Sequence, residues 1–467
     1  MLNNLKEVII NNKKFLPIFE GGKGIGVSTG ITAGHFALNG AIGTFSGVNP
    51  DIINPNGEII KMVINAKNRL ERHIEMIQKS IKGIISQAKI ARDICGEKGR
   101  IHMNVLWEMG GTEHILEEAL SKTKGLIQGI VCGAGLPYKL GDICAKHKVN
   151  YFPIVSSMRA FRILWKKSYI RTKEWLGGVV YECPWRAGGH NGLSNTEDPF
   201  VKGNTYERVK EIRTFMNEVG LKDTPIVVAG GVWNIKEYEH FLNNEEIGNV
   251  AFQFGTRPMV TQESPISNRW KQTLLNLKEG DVKSNQFSPT GFWSSAINNE
   301  LLRELFDRSL RQIEFSCEQN DTFNLQFEFA GKDVFIANID YEEAKKWMDA
   351  GYNKVVKTPD NTLLFITQDK FKELQKDVSE CYGCLSQCQF SCWCQSAEAK
   401  NHNTGNVMDF RKFCIQKALQ NAKNDENITK QLYFAGSEAY RFGTDPMYKN
   451  GYIPTMKELI EALIEGK

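Results

Sequence analysis

The sequence predicts an α/β protein built on a (β/α)8 TIM barrel, and two patterns carry that expectation. Eight short apolar runs alternate with helix-compatible segments over the first 256 residues, the rhythm of a barrel of about 250 residues. The runs are near-continuously apolar, as strands buried on both faces of a parallel sheet must be. Glycines then gather at the C-terminal ends of the runs, where such barrels hold their active sites. A doubly wound open sheet shows the same alternation. The glycine placement favours the barrel.

The runs are LPIFEG (16–21), AIGTFSG (41–47), RIHMNVLW (100–107), LIQGIVCG (126–133), NYFPIVS (150–156), GGVVYEC (177–183), PIVVAGG (225–231) and NVAFQFGT (249–256). Helical patterns occupy 57–94, 112–123, 137–148, 204–219 and 234–244 between them. Gly21, Gly22 and Gly24 follow the first run, and Gly133 and Gly135 the fourth. Gly188, Gly189 and Gly192 follow the sixth, Gly230 and Gly231 the seventh, and Gly255 ends the eighth. One such cluster marks only a turn; five at the same end describe a rim. Those after runs seven and eight fall where barrels bind phosphate.

Past residue 256 the rhythm breaks. ESPISNRWKQTLLNLKEG and GFWSSAINNELLRELFDRSLRQIEF read as helices. FNLQFEF and DVFIANI read as a hairpin around Ala330-Gly331-Lys332, and KVVKT and TLLFIT flank the turn Pro359-Asp360-Asn361. The expected organisation is a barrel over 1–256, a smaller α+β domain inserted over 257–370 to cap the barrel mouth, and an extension over 371–467. The segment YIPTMKELIEALIEG (452–466) would return to supply the last barrel helix. The run FAGSEAYRFGTDPMYKNGYIP either folds back beside the phosphate site or simply packs.

Composition narrows the function classes. With 41% hydrophobic and 24% charged residues the chain matches an ordinary soluble protein with a sizeable core. A formal charge of +4 leaves no nucleic-acid footprint. No stretch approaches the roughly 20 apolar residues of a membrane span, and MLNNLKEVIINNKKF lacks a signal-peptide core. The expectation is a cytoplasmic protein acting on a small molecule, without membrane or nucleic-acid partners. In that setting Asn427-Ile428-Thr429 carries no glycan. Six of the eleven cysteines (Cys381, Cys384, Cys388, Cys392, Cys394 and Cys414) crowd near the C-terminus, which in such a compartment reads as metal ligation before disulfides.

The series AGGH (187–190), AGG (229–231) and QFGT (253–256) resembles the nitronate monooxygenases, formerly 2-nitropropane dioxygenases, over about residues 15–320. The resemblance implies an FMN-dependent barrel with a substrate domain inserted after the eighth strand, and flavin-dependent enoyl-acyl-carrier-protein reductases as relatives. It places Asn104 near the flavin ring, and Gly188, Gly230, Gln253, Gly255 and Thr256 on the ribityl chain and phosphate. His190 matches the histidine that acts as base or substrate-binding group. Gly22, Gly24, Gly189 and Gly231 join the cofactor-binding set as backbone positions of the same rim.

Two departures stand out. Glu20-Gly21-Gly22-Lys23-Gly24 replaces the family's Gln-Gly/Ala-Pro-Met type segment. Lys23 is either a cation beside the flavin N1–C2 region or a solvated lysine on a tight turn. Glu182 or Cys183 stands where the family has a glutamine. His35 reads as packed, His102 and Cys132 as core, and Trp107-Glu108 as pocket-lining or a surface turn.

The C-terminal cysteines run C-x2-C-x3-C-x3-C-x-C, with Cys414 twenty residues beyond Cys394. This resembles the [4Fe–4S] ligation of 2,4-dienoyl-CoA reductases and implies Cys381, Cys384, Cys388 and Cys414 as ligands, with Cys392 and Cys394 as substitutes. Structural zinc and unligated thiols are the alternatives. The leading expectation is an FMN enzyme oxidising nitronates or nitroalkanes with O2 to a carbonyl compound and nitrite. An NAD(P)H-dependent enoyl-thioester reductase, or a metal-binding redox module without turnover, stands against it. A homodimer stays open.

Overall fold

Each of the eight apolar runs forms a strand in the computed structural model, which describes residues 5–54, 58–60, 64–420, 422 and 428–467. The strands are β1 (Ile18–Glu20), β2 (Ile42–Ser46), β3 (Arg100–Leu106), β4 (Gly129–Gly133), β5 (Asn150–Val155), β6 (Val179–Glu182), β7 (Ile226–Ala229) and β8 (Val250–Phe254). They close into a parallel barrel in chain order, β8 returning to β1 through the register Gln253↔Phe19. Alternate side chains point inward. Phe19, Ile42, Val131, Phe152, Val180, Val227 and Ala251 fill the interior, joined by Val8, Ile10 and Phe15 of a short N-terminal hairpin.

The outer ring includes α1 (Gly30–Leu38), α2 (Arg69–Cys95), α3 (Thr112–Lys122), α4 (Leu140–His147), α5 (Met158–Lys167) and α6 (Thr205–Glu218). The long helix expected from residue 57 starts at Arg69, because the Asn68 side chain caps it by accepting from Glu71 N. Ile59–Ile60 instead pairs with Ile52–Ile53, while residues 57 and 61–63 lie outside the described residues, as does Asn427 of the sequon. α1 escaped the sequence pattern because its glycines serve packing: a Cβ on Gly30 would lie 2.2 Å from Gln87 O of α2. α5, although amphipathic, was also missed. The segment 234–244 forms 3-10 turns over Ile235–Phe241 rather than an α-helix.

Beyond the barrel, α7 (Asn268–Leu275) forms within the expected helix, but the segment 291–315 divides. Its start becomes a buried strand, β10 (Ser294–Ile297), paired with β9 (Val282–Asn285). Asn299 then caps α8 (Glu300–Leu310). Both expected strand pairs form, as β11 (Phe323–Phe329) with β12 (Lys332–Ala337) and β13 (Lys354–Lys357) with β14 (Thr362–Ile366). Ile313, Val334, Ile336, Leu363 and Phe365 give this region a core of its own, with α9 (Asn338–Asp349) packed on it. After α10 (Gln368–Ser379), the chain passes through the cysteine-rich turns and α11 (Ile415–Gln420) to α12 (Met456–Glu465). α12 packs against α1, burying Met456, Leu459 and Leu463.

Candidate active site at the barrel mouth

A cavity of about 450 Å³ opens at the C-terminal ends of the strands. Gly22, Gly24, Asn104, Gly188, Gly189, His190, Gly230, Gly231, Gln253, Gly255 and Thr256 all line it, so every rim residue selected from sequence faces one space. Several glycines are there because nothing larger fits. A Cβ on Gly22 would lie 2.1 Å from Asn104 Cβ. Gly230 and Gly231 have φ of +81° and +79°, the left-handed region that favours glycine. Gly255 is the opposite case, with open space where a Cβ would stand.

Three polar side chains project inward from strand ends at the mouth: Asn104 on β3, Glu182 on β6 and Gln253 on β8. Asn104 Nδ2 donates to Val131 O at 3.3 Å. Gln253 Oε1 is buried without a hydrogen-bond partner, a cost normally met by a bound group. Glu182 opens onto the cavity, and burial alone pushes its pKa up to about 8. The carboxyl group is therefore largely protonated at neutral pH.

His190 follows β6 in the two-residue strand Gly189–His190, which pairs with Ser294–Ser295 of β10. That pairing, invisible in a segment read as helix, fixes the imidazole. Its Nε2 lies 2.7 Å from Ser288 Oγ and 3.3 Å from Thr290 Oγ1, both on the β9–β10 loop. Phe434 and Phe292 flank the ring, with centroids at 5.6 and 6.3 Å. Burial lowers its pKa to about 4, so it is neutral across the physiological range.

Lys23 is not a solvated lysine. Its Nζ donates to Gly21 O at 2.6 Å and pairs with buried Glu20 at 3.3 Å, on the cavity wall. Burial lowers its pKa while Glu20 opposes that, and burial raises Glu20 against the pull of Lys23. Glu108 lies outside the lining; it accepts from Ser386 Oγ at 2.5 Å and ties the loop after β3 to the cysteine-rich turns. His102 and Cys132 are buried in the barrel, and His35 is half-buried 3.8 Å from Glu263.

The C-terminal run does fold back on the mouth. Leu432, Tyr433, Phe434, Ala435, Gly436 and Glu438 line the cavity, and Gly436 N donates to Thr256 Oγ1 at 3.1 Å. From residues 257–370 only Arg257, Met259 and Phe292 reach it. Sequence reasoning missed α11, whose Ile415, Gln416 and Leu419 also contribute.

A family model described as nitronate monooxygenase matches residues 146–466. The chain belongs to the nitronate monooxygenase family. It is accordingly a flavin oxidoreductase on a TIM barrel. No curated protein matches it. Among solved structures, FabK from Thermotoga maritima aligns over 100% of this chain and 94% of its own, with 12% identity and a TM-score of 0.54. The enoyl reductase domain of MlnA from Bacillus amyloliquefaciens covers 97% and 93%, with 12% identity and a TM-score of 0.56. A nitroalkane oxidase from Streptomyces ansochromogenes covers 62% and 78%, with 15% identity and a TM-score of 0.43. For the first two, at 12% identity, the likeness is one of fold. Among the described residues no helix is long and apolar enough to cross a membrane.

The cysteine expectation fares differently. Cys381, Cys384, Cys388 and Cys414 do come together: besides burial, the other three thiols each push the Cys384 pKa up. Cys392 points elsewhere, its Sγ donating to Asn406 O at 3.2 Å. Yet among the described residues no three His, Cys, Asp or Glu side chains are arranged to hold a metal ion. Cys381 Sγ instead contacts Ser391 Oγ at 3.3 Å. The four thiols therefore do not fit a single bound zinc, which needs its ligands converged on one point.

Proposed function

We propose that this nitronate monooxygenase family member binds FMN in the mouth cavity and uses His190 to process nitronates or nitroalkanes with O2. The observation that carries the reading is a neutral imidazole aimed at a cavity with a glycine-built wall and an unsatisfied amide oxygen. Backbone N–H groups of Gly230, Gly231, Gly255 and Thr256 suit the phosphate, since glycine lets a bulky anion approach the peptide. Gln253 and Asn104 suit the ribityl chain and ring. Bound FMN would supply the redox chemistry, and the protein supplies position and electrostatics.

His190 is set up as a base. In the tautomer whose Nε2–H donates to Ser288 Oγ, Nδ1 keeps its lone pair, and no hydrogen bond to Nδ1 is made among the described residues. A nitroalkane would lose its Cα proton to Nδ1; a nitronate would arrive without it. Phe292 and Phe434 flank the imidazole on the cavity wall. The products would be a carbonyl compound and nitrite.

His190→Gln should lower turnover of a nitroalkane by about 10²–10⁴-fold, the usual worth of a positioned base, with flavin content unchanged. On the acid side, wild-type activity should fall as pH drops toward about 4, where the imidazole protonates. A second reading, NAD(P)H-dependent reduction of an enoyl thioester, is favoured by one observation: Ile415, Leu419, Ala422 and Leu432 extend the cavity with apolar surface suited to an acyl chain. Anaerobic mixing separates the two. Bleaching near 450 nm by a nitronate supports the first, and bleaching by NAD(P)H alone supports the second.

An iron–sulfur cluster on Cys381, Cys384, Cys388 and Cys414 stays a proposed accessory group, although among the described residues no three His, Cys, Asp or Glu side chains are arranged to hold a metal ion. No step of the reaction is routed through it. Iron, sulfide and zinc analysis of protein purified without air checks this reading.

A further inference from the structure

We propose that Glu182 is a positioning residue for the flavin: a protonated carboxyl at the barrel mouth that donates a hydrogen bond to the cofactor and sets the pH dependence of its reduction. The proposal rests on the flavin reading above and adds to it a residue that departs from the family pattern.

The geometry comes from the barrel. Val180 of β6 is packed inside, so Glu182, two residues on, points the same way into the mouth. Its register partner is Ala229 of β7, also interior, followed at once by Gly230 and Gly231 of the cofactor rim. Among the described residues the Glu182 carboxyl has neither a hydrogen bond nor an ion pair. Glu182 is half-buried at the open mouth; with a flavin over it, a carboxylate there would be a buried, unpaired charge, whereas a carboxylic acid is a neutral donor.

The other charged groups on the cavity face partners other than Glu182. Lys23 pairs with Glu20 at 3.3 Å, and Arg257 with Asp445 at 3.1 Å. Glu438 lies 3.9 Å from Arg441, and Arg186 reaches the Tyr238 hydroxyl. His190 holds Ser288 and is neutral. Burial also keeps Cys384 and Tyr433 protonated. None of these supplies a counter-charge to Glu182, whose pKa burial alone raises to about 8. Putting negative charge on the flavin by reduction would raise it further. Around pH 8, reduction should thus draw one additional proton from solvent, taken up by the Glu182 carboxylate.

The test is a pH series of flavin midpoint potentials with dithionite as reductant, on wild type and Glu182→Gln. The amide keeps a donor but cannot titrate. Wild type should show a steeper segment centred above pH 8, with the reduction equilibrium changing an extra tenfold per pH unit. Glu182→Gln should lack it. Identical slopes in the two proteins would overturn the proposal, and so would weaker flavin binding with an unaltered slope, which would make Glu182 a ribityl contact. If the variant does not fold, absence of the steep segment in wild type alone overturns it. Purified protein that holds no flavin refutes the underlying reading instead, and absorbance near 450 nm shows that first.

Discussion

His190 and Glu182 share one cavity, and burial drives their pKa values in opposite directions, to about 4 and about 8. Both shifts have consequences for stability. Between about pH 4 and 6.5 the unfolded chain holds a proton on His190 that the native protein lacks, so stability falls as pH drops through that window. For Glu182 the native state keeps the proton, so stability falls as pH rises from about 4.5 to 8. Melting temperatures should show both slopes, with Glu182→Gln flattening the alkaline one and His190→Gln the acid one. Lys23 offers a separate test. Replacing it with Gln keeps a donor for Gly21 O but removes the cation. Affinity of the flavin for sulfite should fall about tenfold, the worth of one charge interaction of about 1.4 kcal/mol, while Lys23→Arg should retain it.

At the scale of elements, the site depends on pairings that join distant segments. The loop after β6 is held by β10 on one side and by the C-terminal run on the other. A Cβ on Gly188 would lie 2.5 Å from the carbonyl carbon of Ala435, a backbone atom that cannot swing aside. Gly188→Ala should cost about 1–3 kcal/mol of stability, the usual penalty of overpacking. It should also weaken flavin retention, measured as the flavin-to-protein ratio after gel filtration. β10 shows why this support was illegible in sequence. Ser294–Ile297 precedes an amphipathic helix without a turn signal, and only Asn299 marks the boundary. Its strand character comes from partners at 282–285 and 189–190.

Across the whole molecule, one buried knot ties the barrel to its C-terminal extension. Arg257, at the end of β8, pairs with Asp445 at 3.1 Å and lies over the Trp233 ring, while Trp233 Nε1 donates to Asp445 Oδ2 at 2.8 Å. Removing one partner of such a pair strands a charge in a dry site. Asp445→Asn should therefore cost about 3 kcal/mol, read in a denaturant melt, and should lower flavin retention, since Arg257 lines the cavity. The extension is part of the site's wall, and a chain ending before Leu432 would lack six lining residues that follow.

The barrel and its rim were legible because both are written locally: continuous apolar runs for strands buried on two faces, and glycine where the backbone must turn or approach closely. His190 was legible for the same reason, as part of AGGH beside a strand end. What the sequence did not disclose depends on contacts between residues far apart. The depth at which Glu182 and Lys23 lie, the ladder that holds His190 against Ser288, and the wall supplied by α11 and residues 432–438 all come from tertiary packing. Spacing placed four cysteines in one neighbourhood but not on a common point. The sequence determined the fold and which residues ring its mouth. Only the tertiary structure decided their protonation, because burial and partners set a pKa, and neither is a property of a residue in isolation.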